Sequence, residues 1–174
     1  MKKGLILGRF QPFHLGHLRL IEAVKDDNLE PMICIGSAQE GRTKDNPFTT
    51  EERRIMVEAV VSCLDCEYQI YEIPDVNNNN LYVSHLKTFV PDFDTVYSGN
   101  TLVLKLFKAA GHKIVMPEMV NREVWEGAAI RQAMTEGDEW ETAVPSQIVD
   151  IIHDLNGIEK LQNLARADPL PPES

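Results

Sequence analysis

The stretch LILGRFQPFHLGH, residues 5–17, decides the fold that this sequence predicts. An apolar run ends at Gly8, and a loop with arginine and proline then leads to His14 and His17 at the start of a helical pattern. Short, continuous apolar runs are typical of strands that are buried on both faces of a parallel sheet. The stretch therefore predicts a buried first strand followed by a helix whose first turn carries both histidines.

The same alternation of short apolar runs and helical periodicity continues along the chain. Strands are predicted at residues 3–8, 32–36, 68–73, 95–98 and 113–116, and helices at 17–25, 50–62, 81–90 and 102–110. Three further helices are predicted at residues 127–135, 145–155 and 158–165. This order predicts an α/β fold: a doubly wound, Rossmann-like parallel sheet flanked by helices, with a C-terminal helical segment.

Individual residues predict where some of these elements begin and end. Thr49 and Glu52 have the spacing of a capping box, Pro91 is expected to stop the third helix, and Gly111 to end the fourth. Residues 1–165 are expected to form a single domain, and the proline-rich residues 166–174 a mobile tail.

Length, charge and cysteine content exclude several classes of protein. A chain of 174 residues with 43% hydrophobic residues is long enough for one core. The formal net charge of −10 argues against a nucleic acid or an anionic membrane as partner, but a small anion needs only a local positive site. An apolar run long enough to cross a bilayer is missing, and three cysteines do not indicate a disulfide framework. A cytoplasmic location is expected.

Cys63 and Cys66 form a C-x-x-C pattern, which occurs in redox pairs and in halves of zinc sites. The pair follows the C-terminal end of a predicted helix, where the helix dipole disfavours a thiolate. A second C-x-x-C is absent from the sequence. A chemical role for this pair is therefore not predicted.

The two histidines favour a phosphate site. A helix N-terminus presents free backbone N–H groups and a partial positive charge. His14 and His17 project from one side of that first turn, Gly16 permits close approach to the backbone, and Arg9 adds a planar donor. A zinc site lacks further ligands at a suitable spacing, and neither a P-loop nor a G-x-G-x-x-G pattern is present. The constellation suits a polyphosphate.

The segment GRFQPFHLGH resembles the H-x-G-H signature of the nucleotidyltransferase superfamily. The segments GSAQ, NPFTTEER, DFDTVYSGN and MPEMVNRE are similar to those of archaeal-type nicotinamide-nucleotide adenylyltransferases. The resemblance implies transfer of AMP from ATP to nicotinamide mononucleotide (NMN), which forms NAD and pyrophosphate in NAD biosynthesis. It also implies that Mg²⁺ or another divalent cation accompanies ATP, and that the chain is a homo-oligomer, since archaeal relatives form hexamers.

The resemblance also implies which residues form the site. His14, His17 and Arg9 correspond to residues that contact substrate phosphates, and Arg131 belongs to a second phosphate-binding turn. The implied ATP-binding positions are Gly8, Phe10, Gly16, Gly99, Asn100, Gly127 and Ile130. The implied acceptor-binding positions are Ser37, Gln39, Asn79 and Tyr82, the last standing where relatives more often have tryptophan. The resemblance assigns no metal ligand.

The second phosphate-binding turn departs from the family pattern. The family has a serine, a glycine and a threonine ahead of the arginine, whereas this chain has Glu126, Gly127 and Ala128 ahead of Arg131. Both hydroxyl groups are therefore missing. Glu126 brings negative charge toward a polyanion unless its side chain turns outward or holds the metal.

Two other functions use the same motif. Adenylyl transfer to pantetheine phosphate or to a flavin phosphate requires the same chemistry, and a nucleotide-binding sensor with weakened catalysis is compatible with Glu126 and Ala128. An aminoacyl-tRNA synthetase is excluded by the short chain and its acidic charge.

Arg53 and Arg54 are predicted on a solvated helix face without a catalytic role. Arg42 is predicted in a loop that closes over phosphates.

Overall fold

The computed structural model describes residues 1–118, 121 and 124–167. The strands are β1 Lys3–Gly8, β2 Glu30–Ile35, β3 Gln69–Glu72, β4 Thr95–Tyr97 and β5 Lys113–Val115. The helices are α1 Leu15–Asp26, α2 Thr50–Val61, α3 Tyr82–Lys87, α4 Thr101–Ala109, α5 Gly127–Glu136, α6 Ser146–Asp154 and α7 Gly157–Ala167. Short 3-10 turns lie at Asn79–Leu81 and Glu141–Ala143.

The five strands form one parallel sheet in the order β3-β2-β1-β4-β5. The chain winds outward from β1 through β2 to β3, then returns to the other side of β1 for β4 and β5. The strand order therefore reverses between β1 and β4, and ligands of such sheets bind beyond the carboxyl ends of the strands at that point. The predicted doubly wound parallel sheet with C-terminal helices is confirmed.

Both faces of the sheet are buried, as the continuous apolar runs predict. Neighbouring residues of one strand belong to different core clusters: Leu5 packs with Met32 and Val96, whereas Ile6 packs with Ile33 on the other side. Such two-sided burial accounts for the lack of polar alternation within these strands. Helices cover each face and leave the carboxyl ends of the strands open to the loops.

Helix boundaries follow local hydrogen bonds that periodicity does not reveal. The capping box of α2 is confirmed, because the Glu52 N–H donates to the Thr49 hydroxyl and the Thr49 N–H donates to the Glu52 carboxylate. The third helix is shorter than expected and ends at Lys87, before Pro91. Helix α7 continues to Ala167, so the tail expected from 166 onward starts inside a helix. Residues 168–174 of that tail lie outside the described residues.

The structure gives the state of the three cysteines and the length and polarity of the helices. All three cysteines are free, and burial raises the pKa of the Cys66 thiol, which opposes a reactive thiolate. Within the part of the chain that the structure describes, every helix is too short or too polar to span a bilayer.

Candidate active site

Three helix N-termini meet at one cavity beside the reversal point of the sheet. His14 is the N-cap residue of α1, Asn100 of α4 and Glu126 of α5, and all three line a cavity of about 480 Å³. Each N-terminus contributes a partial positive charge. Such a convergence favours an extended, highly charged anion. The predicted residues His17, Gly16, Gly99 and Gly127 line the same cavity.

The two histidines stack on each other in the first turn of α1. Their ring centroids lie 3.7 Å apart, and the backbone N–H of His14 donates to Nδ1 of His17 at 3.1 Å. Because Nδ1 of His17 accepts, the proton of its neutral ring belongs on Nε2. His17 therefore offers an N–H donor while it remains uncharged.

Aromatic rings and a glycine hold His17 in this position. The Phe10 ring lies 4.3 Å from the His17 ring, centroid to centroid, and the Phe13 ring lies 5.5 Å from it. A Cβ at Gly8 would come within 3.0 Å of His17 Nε2. Gly8 is thus required so that the end of β1 can pass directly beside the imidazole.

Burial keeps both imidazoles neutral. It lowers the pKa of His14 to about 4, with the Arg131 charge as the second cause. Burial and the neighbouring His14 lower the pKa of His17 well below its usual value. His14 Nδ1 is buried and has no hydrogen-bond partner among the described residues. A bound anion would supply that missing partner and favour protonation.

Arg131 projects from α5 toward the loop after β1. Its Nη1 donates to the Gln11 carbonyl oxygen at 2.9 Å. A Cβ at Gly127 would come within 2.9 Å of the same Nη1, so the glycine makes room for the guanidinium. Burial lowers the pKa of Arg131, and the nearby Arg9 adds to this effect. Arg9 itself is exposed and donates to the Asn46 side chain at 3.4 Å.

The turn ahead of Arg131, which departs from the family pattern, is open to solvent. Glu126 and Ala128 are exposed, and the Glu126 side chain does not cap α5. Glu126 lines the histidine cavity, whereas Ala128 lines a second cavity of about 400 Å³ together with Arg131, Lys44 and Asp45. The two substituted positions therefore line different cavities, and Arg131 lines the second one.

Three predicted ATP-binding residues have side chains with structural roles. Phe10 and Ile130 are buried in the core and are 0% and 2% exposed, so neither presents surface to a nucleotide in this structure. The Asn100 side chain accepts hydrogen bonds from the N–H groups of Leu102 and Val103 and so caps α4. Sequence reasoning overlooked Ser98, Thr101 and Trp125, which line the cavity and have no motif of their own.

The carboxylate of Asp75, which the sequence analysis did not identify, accepts hydrogen bonds from both predicted acceptor residues after β2. Ser37 Oγ donates to Asp75 Oδ1 at 3.0 Å, and Gln39 Nε2 donates to Asp75 Oδ2 at 2.8 Å. The Asp75 N–H donates back to Gln39 Oε1 at 2.9 Å. Asp75 follows β3, so its role depends on the pairing of β2 with β3.

Asn79 and Tyr82 lie farther along the same edge of the sheet, outside the histidine cavity. Asn79 is exposed and begins the 3-10 turn that precedes α3. The half-buried Tyr82 ring packs edge-on against Phe107, with centroids 6.2 Å apart. Burial raises the pKa of the Tyr82 phenol, and the nearby Asp75 contributes.

The solvated face predicted for Arg53 is wrong, and only Arg54 is partly exposed. Arg53 is completely buried and hydrogen-bonded to backbone carbonyl oxygens, whereas Arg54 forms surface ion pairs with Glu58 and Glu72. Arg42 of the loop predicted to close over phosphates forms an ion pair with Glu52 at 2.9 Å.

Among the described residues, no group of three or more histidine, cysteine, aspartate or glutamate side chains is arranged to hold a metal ion.

Comparison with known proteins first defines the class. Residues 5–133 match the family model described as cytidylyltransferase-like. The fold is similar to that of a bifunctional NMN adenylyltransferase/ADP ribose pyrophosphatase from Francisella tularensis, crystallised with AMP and a manganese ion. The TM-score is 0.65 at 16% identity, over 99% of this chain and 58% of that protein. The chain is a cytidylyltransferase-like nucleotidyltransferase.

Full-length relatives then define the particular family. The chain is 42% identical to the nicotinamide-nucleotide adenylyltransferase of Methanoculleus marisnigri, over 97% of this chain and 100% of that protein. It is 40% identical to the enzyme of the same name from Thermoplasma acidophilum, over 96% of this chain and 94% of that protein. The chain therefore belongs to the archaeal-type nicotinamide-nucleotide adenylyltransferases, as the motif series predicts.

Proposed function

We infer that this chain transfers AMP from ATP to NMN, forming NAD and pyrophosphate. Relatives that match it from end to end support the assignment. The structural observation that carries it is the convergence of the N-termini of α1, α4 and α5 on one cavity that also contains two neutral histidines. That arrangement suits a triphosphate, whose charge is spread along its length.

The reaction needs no general base. The second pKa of a phosphate monoester is about 6, so the attacking phosphate oxygen of NMN is already ionised at neutral pH. That oxygen forms a bond to the α-phosphorus of ATP while the bond from the α-phosphorus to the bridging oxygen of pyrophosphate breaks. Catalysis then consists of alignment of the two substrates and stabilisation of negative charge.

The chain supplies both effects with donors of different kinds. We propose that His17 donates through Nε2–H, and that His14 accepts a proton as the polyphosphate enters, which provides positive charge. Arg131 and Arg9 act as permanent cations, and Arg9 bridges phosphates of the two substrates. The remaining oxygens lie at the three helix N-termini, whose partial positive charge stabilises them, although the N–H groups of Leu102 and Val103 are already bound by the Asn100 side chain.

A divalent cation enters this scheme with ATP. The described residues contain no ready cage of protein ligands, and Mg²⁺ usually keeps substrate phosphates and water among its ligands. We propose that Mg²⁺, or another divalent cation, binds as the ATP complex. The manganese ion crystallised with the Francisella tularensis protein supports a divalent cation in this fold. Homo-oligomerisation stays a prediction from the resemblance.

We propose that the acceptor lies beyond β2 and β3, against Ser37, Gln39, Asn79 and Tyr82. The pyridinium ring of NMN is positively charged, so the nearby carboxylate of Asp75 supports this assignment. Stacking of the pyridinium on a tyrosine ring is favourable, though weaker than on tryptophan. The Tyr82 ring packs edge-on against Phe107, so one edge or face of the ring must also be presented to the acceptor.

The test is incubation of purified protein with ATP, Mg²⁺ and a panel of phosphate-bearing acceptors, with products identified by mass. NMN should be adenylylated fastest, with stoichiometric release of pyrophosphate. Faster adenylylation of pantetheine phosphate or a flavin phosphate would show that the acceptor is wrong. Nucleotide binding without pyrophosphate release would identify a sensor, the second candidate, which the missing hydroxyl groups at Glu126 and Ala128 favour.

A further inference from the structure

Arg53 is the largest completely buried side chain in the described structure, and its guanidinium contacts two loops at once. The partners are backbone carbonyl oxygens and one hydroxyl oxygen, all 2.7 to 3.3 Å from its nitrogens: Thr49 O, Arg9 O, Gly36 O, Ser37 O, Glu40 O and Thr50 Oγ1. Among the described residues, no carboxylate forms an ion pair with it. The buried charge is instead balanced by carbonyl dipoles from the loops after β1 and β2.

The two carbonyl groups bound by Nη1 occupy equivalent positions on adjacent strands. Gly8 pairs with Ile35 at the ends of β1 and β2, so Arg9 and Gly36 are the next residues in register. Nη1 lies 3.0 Å from Arg9 O and 2.7 Å from Gly36 O. One guanidinium nitrogen, Nη1, therefore clamps two segments of the backbone at the point where β1 and β2 leave the sheet.

Each clamped residue is followed by a residue in the left-handed conformation. Phe10 has φ 54° and Ser37 has φ 49°. A side chain with a Cβ makes this conformation unfavourable, so it persists only where surrounding contacts enforce it. The bonds from Arg53 to the two preceding carbonyl groups are such contacts. Two matching strained turns at one edge of the sheet indicate that the loop positions serve the site.

The clamp also orients two hydrogen-bond donors. In a trans peptide the N–H points away from the C=O of the same plane. Because Arg9 O and Gly36 O point at Arg53, the N–H groups of Phe10 and Ser37 point to the opposite side. Within the described residues, neither N–H donates to a protein acceptor. Both donors are unpaired but enclosed, because Phe10 is 0% and Ser37 9% exposed.

We propose that Arg53 is a positioning residue for adenylyl transfer, which holds the loop that carries Arg9 and the loop that carries Ser37 in place for the acceptor's phosphate. This rests on the proposed function, since the acceptor must carry a phosphate. Arg53 touches no substrate itself. It acts through the loop that carries Arg9 and the loop that carries Ser37, and it sets the distance between them.

The test compares two substitutions of Arg53 with the same two substitutions of its partly exposed neighbour. Arg53→Met keeps the apolar stem and removes every donor, and Arg53→Lys keeps the charge but cannot span both carbonyl groups. Arg54→Met and Arg54→Lys are the matched controls. For each protein, the unfolding midpoint, the ATP Kd, the kcat and the KM for NMN are measured at a temperature well below unfolding.

We expect Arg53→Met to lower kcat at least 10-fold and to raise the KM for NMN at least 5-fold, with ATP Kd within 3-fold of the parent value. Arg53→Lys should recover part of both losses, and the Arg54 variants should change neither. A loss of folded protein lowers the active fraction, and therefore kcat, without changing the KM for NMN. A positioning role raises the KM for NMN while the ATP Kd stays close to the parent value.

Two results would overturn the proposal. One is a folded Arg53→Met whose kcat and KM for NMN stay within 2-fold of those of Arg54→Met. The other is failure of both Arg53 variants to fold at 10 °C while both Arg54 variants fold, which would assign Arg53 to stability alone. If the parent protein adenylylates a different phosphate acceptor, the proposed function fails and the same comparison is made with that acceptor.

Discussion

At the scale of single residues, His17 combines a donor with a neutral ring in a site built for anions. Its Nδ1 accepts the His14 N–H, and its Nε2 lies against Gly8 at the end of β1. A ring held in this way changes little when substrate binds. It is therefore suited to stabilise the charge that develops as pyrophosphate leaves.

Replacement of His17 by alanine should lower kcat by about 100-fold, the usual effect of losing one donor to a developing charge. The Kd of NMN should change little, because the imidazole is proposed to contact phosphates of ATP. His14→Ala should act similarly, with a larger effect on ATP Kd. Exposed His153 on α6 provides the control His153→Ala. An unchanged kcat in His17→Ala would return both histidines to a structural role.

The substituted turn before Arg131 gives a second prediction at this scale. Ala128→Thr should restore a hydroxyl beside the start of α5 and tighten ATP by about 0.5 to 1.5 kcal/mol, the net contribution of one hydrogen bond. Ala128→Val is the control of the same shape without the hydroxyl. Glu126→Ser should tighten ATP further by removing negative charge, with a gain that shrinks as salt is added.

Titration of both ATP and Mg²⁺ against the Glu126 and Ala128 variants separates two explanations. If Glu126 has been recruited to the metal ion, Glu126→Ser should raise the Mg²⁺ requirement instead of tightening ATP. If neither substitution alters either titration, the turn does not contact the polyphosphate, and the role proposed for Arg131 weakens with it.

At the scale of elements, the start of α5 depends on one glycine that makes room for an arginine from the same helix. Gly127 is the first residue of α5, so Gly127→Ala gains less than the roughly 1 kcal/mol by which alanine is favoured in a helix interior. The new Cβ would displace the guanidinium of Arg131 from the Gln11 carbonyl oxygen and so remove a buried hydrogen bond. We expect an ATP Kd about 10-fold weaker, measured by calorimetry, with a lower unfolding midpoint. Arg131→Lys should weaken ATP similarly; normal affinity in Gly127→Ala would mean that Arg131 can bind from another position.

Element boundaries show where sequence patterns stop being informative. The third helix is predicted over residues 81–90 but covers only Tyr82–Lys87. Its start follows a 3-10 turn in which the Asn78 side chain accepts the Asn80 N–H, and the Thr88 hydroxyl donates to the His85 carbonyl at its end. Likewise β3 stops where its pairing with β2 stops, at Glu72 opposite Ile35. Periodicity reports which face is buried and does not report these bonds.

At the scale of the whole molecule, stability should depend on pH through the buried histidines. The folded-state pKa of His14 is about 4, below the 6.5 of an unfolded histidine, and that of His17 is also lowered. Below pH 6.5 the unfolded chain therefore binds more protons than the folded chain, so the free energy of unfolding falls as the pH falls toward 4. His14 alone accounts for at most about 3 kcal/mol of that loss at pH 4.

Chemical denaturation of the protein without ATP, at pH 7 and at pH 4.5, measures this loss. The double substitution His14→Gln and His17→Gln should lose less stability between the two pH values than the parent, because neither glutamine takes up a proton. Other groups titrate equally in both proteins and cancel in the comparison. Equal losses would mean that the two imidazoles are as easily protonated in the folded protein as in the unfolded chain.

Sequence by itself determined the order of strands and helices, the parallel sheet, the family and the residues around His14 and His17. These features are local or periodic: apolar runs of strand length, turn residues at fixed offsets, and motifs that occupy a single loop. One cavity is lined by six of the predicted residues, namely His14, Gly16, His17, Gly99, Asn100 and Gly127, whereas Gly8 and Arg131 do not line it. Parallel strands bring their carboxyl ends to one edge, so residues that follow different strands become neighbours without any signal between them.

Only the tertiary structure decided which polar side chains serve each other. Arg53 reads as a surface arginine because it follows a helix cap, yet the packing of α2 on β2 turns it inward toward carbonyl groups from two loops. Asp75 reads as a loop residue until the pairing of β2 with β3 places it beside Ser37 and Gln39. The physical reason is common to both: a buried donor or carboxylate is satisfied by partners distant in sequence, and their identity follows from packing and not from spacing.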